Sequence, residues 1–258
     1  TPVTIEFIDV AGLVKNAYQG EGLGNQFLAQ IRNCDAIVEV VRVFLDEKVD
    51  HILGSVDPER DLEIVKTELL MKDLETVENA LKKTNETKER KRFLFYKKIK
   101  ELIAKDLSIK DLELNEEENN FLRDLHLLSV KPILVVFNKG EKNVELKNNY
   151  PFPFLVLNIK QEEEISEMKE EEVKELGLES ELNQLIINCY KILKLITFYT
   201  IAGGKEVRAW TLKEKSSILE AAEKIHSDFK ERFIKAEVIN WENLIRAESW
   251  ARARSLGL

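Results

Sequence analysis

The sequence predicts an α/β protein: a largely parallel sheet with helices between its strands, broken by a helical insertion and followed by a small β-rich module. Three observations carry this. Short β-branched runs recur at Ala36–Phe44 (AIVEVVRVF), Pro132–Phe137 (PILVVF) and Phe154–Leu157 (FLVL), as strands buried on both faces require. Apolar residues at helical spacing lie between them. Gly203-Gly204 separates two further extended runs, Ile196–Thr200 and Glu206–Thr211, which is a hairpin signal.

In chain order, Val3–Val10 alternates and then runs apolar through Ile5, Phe7, Ile8 and Val10, and is read as the first strand. Gly24–Arg32 (GNQFLAQIR) has helical spacing, so strand, helix and strand alternate. From Leu62 to Leu128 the pattern is helical, through Leu62, Val65, Leu69, Leu70, Leu74, Val77 and Leu81, then Phe93 to Leu107 after a polar break. An antiparallel helical hairpin inserted in the sheet domain accounts for it. The acidic run Glu162–Lys174 reads as a solvated helix or loop, and Glu179–Leu193 as an amphipathic helix. In the last module a helix is expected over Glu220–Phe229 and a strand over Phe233–Val238.

Composition narrows the class. A chain of 258 residues, 44% of them hydrophobic, can bury the core of two domains or of one domain with an insertion. No stretch approaches the ~20 apolar residues that span a bilayer, so no membrane partner is expected. Cys34 and Cys189 are far apart and lack neighbours at metal-ligand spacing, which suits free thiols in a reducing, cytoplasmic setting. The net charge of -8 argues against nucleic-acid binding by the whole surface. One local exception is Lys88–Lys100 (KERKRFLFYKKIK), basic with Phe93, Phe95 and Tyr96 interleaved, which could meet RNA phosphates or pack its aromatics against a partner helix.

Two short motifs point to chemistry. Ile8-Asp9-Val10-Ala11-Gly12 places a carboxylate at the end of an apolar run and a glycine three residues later. Such a carboxylate can hold the water shell of magnesium, and the glycine amide can approach a γ-phosphate. The glycine-dense Gly20–Asn25 (GEGLGN) follows, a loop type that reorders when phosphate arrives or leaves. At the end of another apolar strand stands Phe137-Asn138-Lys139-Gly140-Glu141. Asn-Lys-x-Asp is a guanine-reading motif; Glu141 in the fourth position moves the carboxylate, and adenine lacks the donor pair that an aspartate meets. Asp9 and Asn138 are expected at the carboxyl edge of one sheet, gripping a single mononucleotide.

The string DVAGLVKNAYQGEGLGNQF from Asp9 to Phe27 resembles the switch region of the Obg-like ATPase (YchF) family. The resemblance continues through IRNCDAIVEVVRVF, HILGSVDPERDLEIVKTEL, GGKEVRAWT and IHSDFKERFIKAEVI, and covers nearly the whole chain. It implies a P-loop NTPase-like nucleotide-binding domain over 1–70 and 129–193, an inserted helical hairpin over 71–128, and an incomplete ubiquitin-like (TGS) domain over 194–258. It also implies hydrolysis of ATP, assisted by magnesium, and association with the ribosome (the large subunit or the 70S particle); Lys139 keeps GTP as the alternative, and the basic Lys88–Lys100 and the TGS domain could supply ribosomal RNA contacts.

Carried over by position, Asp9 would be the magnesium ligand, and Gly12 the γ-phosphate contact and part of the catalytic group. Asn138, Lys139 and Glu141 would read the base, with Asn158 behind it. Leu13 stands where many relatives outside the group have a water-orienting glutamine. The resemblance gives that work to His51, whose imidazole can orient water at neutral pH. In the last module Lys205, Arg208, Trp210, His226 and Lys235 could form a further contact surface.

Three features depart from the pattern. Lys139 keeps the lysine of guanine readers, and Asn158-Ile159-Lys160 replaces a small-residue loop. The Gly-x-x-x-x-Gly-Lys-[Ser/Thr] phosphate cradle is missing; the family places it upstream of Thr1, and the chain stops at Leu258 before a TGS domain would finish. The chain as given is therefore expected to be incomplete and inactive, because the cradle supplies most phosphate contacts. The competing expectation is a non-catalytic module that binds RNA or the ribosome through Lys88–Lys100 and the C-terminal tail.

Overall fold

A computed structural model describes residues 3–10, 30–202 and 206–258. The chain divides into two compact units: Ile5–Leu193, and Thr1–Thr4 with Lys194–Leu258.

The larger unit is built on three parallel strands in the order β1 (Ile37–Arg42), β2 (Ile133–Asn138), β3 (Phe154–Leu157). β2 is central, and Leu134, Val135, Val136 and Phe137 are all buried. That is why the run reads as continuously apolar rather than alternating. The register aligns Arg42 with Asn138 and Asn138 with Leu157, so the three strands end together. Phe137 packs with Tyr150 and Phe154 beside this carboxyl edge, at ring-centroid distances of 5.0 and 5.7 Å.

Between β1 and β2 the chain makes three helices: α1 (Pro58–Lys83), α2 (Arg90–Ala104) and α3 (Glu116–Leu125). Asp57 caps α1 and Pro58 opens it, while Asn115 and Glu118 form a capping box on α3. Val77, Phe95, Tyr96, Ile99, Ile103 and Leu125 bury one shared core. The return to β2 is fixed by Asp73, fully buried on α1, whose carboxylate accepts from the amides of Leu128 at 2.7 Å and Ser129 at 2.8 Å. Lys131 donates to the carbonyls of Arg32 and Cys34, and Arg32 donates to Thr76 on α1 at 2.7 Å. The stretch before β1, the middle of α1 and the entry to β2 thus form one polar knot.

After β3 come α4 (Ile159–Glu167), α5 (Glu170–Glu175) and α6 (Leu182–Ile192). The acidic side chains of the run are exposed, with one exception. Glu162 is buried and accepts from Ser180 Oγ at 2.7 Å and the Glu181 amide at 2.9 Å. Cys34 and Cys189 are free thiols.

In the smaller unit β4 (Leu195–Ala202) and β5 (Glu206–Lys213) pair antiparallel from Leu195–Lys213 to Ala202–Glu206. The Gly203-Gly204 turn and Lys205 lie outside the described residues. Trp210 donates its indole N–H to Thr200 at 2.9 Å and lies beneath the Arg208 guanidinium. Four short helices follow: α7 (Ile218–Ile225), α8 (Ser227–Glu231), α9 (Trp241–Ala247) and α10 (Trp250–Ser255). Among the described residues no helix is long and apolar enough to cross a membrane.

Two expected strands are not formed. Residues 3–10 and 233–240 are irregular, with Phe7 53%, Ile234 92% and Val238 76% exposed. An apolar run records a tendency to be buried, but a strand also needs a neighbour to complete its ladder. No described strand pairs with either segment.

Candidate functional site

The carboxyl edge of the sheet assembles most of the motif around Asn138. Its main-chain carbonyl accepts from the Val43 amide at 3.1 Å, and the next amide, Lys139, donates to Leu157 at 2.8 Å. Val144 donates back to Val43 at 2.9 Å, and Phe44 bridges to Asn143. Asn143 closes the turn on Gly140, accepting from its amide at 2.8 Å and donating to its carbonyl at 2.9 Å. A Cβ on Gly140 would stand 2.9 Å from Cβ of Phe44, so the turn lies directly against the chain leaving β1.

The side chains follow from this frame. Asn138 Oδ1 accepts from the Ile159 amide at 3.2 Å, and Asn158 Oδ1 caps α4 by accepting from Gln161 at 3.2 Å. Neither side-chain N–H group makes a hydrogen bond among the described residues, so each can donate to a ligand. Lys139 pairs with Glu181 at 3.8 Å, and Glu181 is held in place by the buried Glu162. Glu141 is exposed, with no hydrogen bond or ion pair among the described residues. Asn138, Lys139 and Asn158 are thus brought together at one edge, and Glu141 hangs from the same turn.

His51 stands on the loop that leaves β1. Arg42, the last residue of β1 and the register partner of Asn138, donates to the carbonyls of Phe44 (3.1 Å), Asp46 (3.3 Å), Val49 (2.9 Å) and Asp50 (3.2 Å). The imidazole is largely buried, at 15% exposure. Its Nδ1 accepts from the Leu53 amide at 3.2 Å, and its Nε2 lies 3.1 Å from Asp61 Oδ2 on α1. Gly54, at φ +80, closes the turn by donating to the His51 carbonyl at 2.8 Å.

Asp9 lies in the irregular segment before β1, outside the strands of this sheet. It is exposed, and its neighbour Val10 packs on the cluster of Ile31, Leu69 and Leu128, which also receives Ile37 and Ile133, the first residues of β1 and β2. Those residues and Asn138 are at opposite ends of the strands, about 17 Å apart at the usual rise per residue. Gly12, Leu13 and Gly20–Asn25 lie outside the described residues.

Comparison with known proteins identifies the lineage. The YchF-GTPase_C family, described as a protein of unknown function, matches residues 195–258. A Bacillus subtilis protein named "Ribosome-binding ATPase YchF" is 39% identical, covering 99% of this chain and 76% of that protein. The chain belongs to the YchF family. A Buchnera aphidicola YchF is 37% identical over 100% of this chain and 76% of its own length. The structure of the Schizosaccharomyces pombe YchF GTPase superposes with a TM-score of 0.78 at 31% identity, covering 92% of this chain and 71% of that one. A mixed α/β fold is therefore common to this chain and its YchF relative.

The basic stretch is only partly available. Lys91 pairs with Glu117 at 2.8 Å, Arg92 with Asp124 at 3.2 Å and Lys100 with Glu78 at 2.7 Å. Phe95 and Tyr96 are buried in the helical core. Arg208 lies over Trp210, His226 caps α8 and Lys235 is exposed in the irregular segment. Sequence reasoning missed Arg42, Asp61, Asn143 and Glu181. Only Arg42 carries a local signal, as a cation near the end of the apolar run AIVEVVRVF.

Proposed function

We propose that this protein is a nucleotide hydrolase that binds ATP, with GTP as the competing substrate, and uses hydrolysis on the ribosome. The observation that carries it is the carboxyl edge, where Asn138, Lys139 and Asn158 converge and Glu141 hangs from the same turn. Ligands of open α/β sheets bind at that edge. The asparagine amides can donate to ring nitrogens, the Lys139 stem can lie along a base, and Glu141 is free to accept from an exocyclic amine. The names of the relatives, a ribosome-binding ATPase and a GTPase, agree with this class.

In the same proposal, residues 1–70 and 129–193 bind nucleotide, 71–128 form the helical hairpin, and 194–258 form a TGS-like module. Gly12 would meet the γ-phosphate and His51 would orient the attacking water. Asp9 would be the carboxylate nearest magnesium. It is one exposed carboxylate, and no group of three or more metal-binding side chains occurs among the described residues.

Phosphate release should be measured from ATP and from GTP by the protein carrying its phosphate cradle, with and without ribosomes. Release from ATP, faster with ribosomes, is expected. Silence on both nucleotides with ribosomes present would leave the non-catalytic reading. That reading is favoured by Lys88, Lys97 and Lys98, for which no ion pair occurs among the described residues. It requires ribosome co-sedimentation that ATP does not alter and that charge reversal at Lys97 and Lys98 abolishes.

A further inference from the structure

The His51 ring is held at both nitrogens, and the two bonds together specify its protonation. A backbone amide can only donate, so the Leu53 N–H at 3.2 Å requires an unprotonated Nδ1. The proton of the neutral ring is then on Nε2, directed at Asp61 Oδ2 at 3.1 Å. Asp61 has no freedom to turn away. Its Oδ1 is taken by Arg60 Nε at 3.2 Å and Nη2 at 3.1 Å, and Arg60 is tied to Ser55 Oγ and the Ser55 carbonyl at 3.1 and 2.6 Å. Asp61 itself sits in the first turns of α1, its amide bonded to the Asp57 carbonyl at 3.0 Å. The carboxylate is thus built into a helix and aimed at one nitrogen.

We infer that Asp61 is a positioning residue for the hydrolytic step: it holds His51 as the Nε2–H tautomer, so that Nδ1 offers the lone pair that orients water. The Leu53 amide covers that lone pair in the state seen here. A turn of one peptide at Ile52–Leu53 would uncover it without disturbing the bond to Asp61. This rests on the reading of His51 given under Proposed function. A purely structural Asp61 would clamp the start of α1, and the Leu53 amide alone would then set which ring nitrogen carries the proton.

The test is nitrogen-15 spectroscopy of the histidine rings with kinetics of the full protein. The sequence has three histidines, so the His51 signals are assigned by their loss in His51→Ala. The wild type should show Nε2–H, and Asp61→Asn, whose amide can reverse the tautomer, should show a mixture. Asp61→Asn should lower kcat about 10-fold or more with KM unchanged, and Asp61→Glu should recover most of the loss. A wild-type Nδ1–H tautomer, or wild-type kcat in Asp61→Asn, would overturn the inference. If His51→Ala hydrolyses normally, the assignment of His51 fails first. If His51→Ala is inactive and Asp61→Asn is not, only the role of Asp61 fails.

Discussion

The two loops that leave the carboxyl edge are held by different means. The turn at Asn138–Val144 is laced by main-chain bonds to β1 and β3 and closed by Asn143. The loop at Phe44–Gly54 is tied to that turn at its start, where the Leu45 amide donates to the Lys142 carbonyl at 2.8 Å, and beyond it is held mainly by side chains: Arg42 on four carbonyls, and Asp61 on the imidazole. Main-chain ladders open only when strands part, whereas side-chain bonds exchange one at a time. The difference teaches that the Asn138 turn, proposed above to read the base, is part of the fold, while the histidine is mounted on an arrangement that can switch. On that proposal, recognition can stay fixed while His51 is engaged or withdrawn.

The comparison can be broken first at the strand between the loops. Glu39 on β1 has its Oε1 buried with no hydrogen-bond partner among the described residues, and burial pushes its carboxyl from 4.5 up to about 7. A raised acid favours the folded state while protonated, so this stability is fully present below pH 4.5 and is lost as pH rises through 7. Glu39→Gln should therefore exceed the wild type in denaturant stability by on the order of 3 kcal/mol at pH 8, with the gap closing by pH 4. A gap that does not change with pH would contradict the burial argument.

Arg42→Leu removes the clamp on the histidine loop and leaves the Asn138 turn its main-chain ladder. Single-turnover hydrolysis should fall about 100-fold, the scale of a small misplacement of a reacting group, while nucleotide Kd stays within about 3-fold. If Kd worsens as much as the rate, the loops are one unit and the comparison fails.

The glycines of the two loops sharpen it. Gly140→Ala drives a methyl to 2.9 Å from Phe44 Cβ and should cost about 2 kcal/mol by overpacking, read in urea unfolding. At Gly54 nothing lies within 4 Å of an added Cβ, and only the φ of +80 opposes it. Gly54→Ala should cost about 1 kcal/mol, the strain of a left-handed residue.

Much of this architecture is legible in the sequence because it is local. The runs at Ile37–Arg42, Ile133–Asn138 and Phe154–Leu157 are strands within two residues of expectation, since β-branched runs of that length have few other ways to be buried. Asn138-Lys139-x-Glu141 is legible for the same reason: its parts are consecutive. Val3–Val10 and Phe233–Val238 are not, because pairing depends on a neighbour that periodicity does not encode. Arg42 and Asp61 stayed hidden for a related reason. Each acquires its role from groups up to ten residues away that only the folded loop brings near.

The account rests on the Asn138–Glu141 turn reading a purine, and exchange of its carboxylate tests that most directly. Kd for ATP and for GTP should be measured by competition against one fluorescent nucleotide, for the wild type and for Glu141→Asp. The shorter acid should shift the preference toward GTP by about 10-fold, the worth of one well-placed pair of hydrogen bonds. Identical affinities in the two proteins for both nucleotides would contradict it.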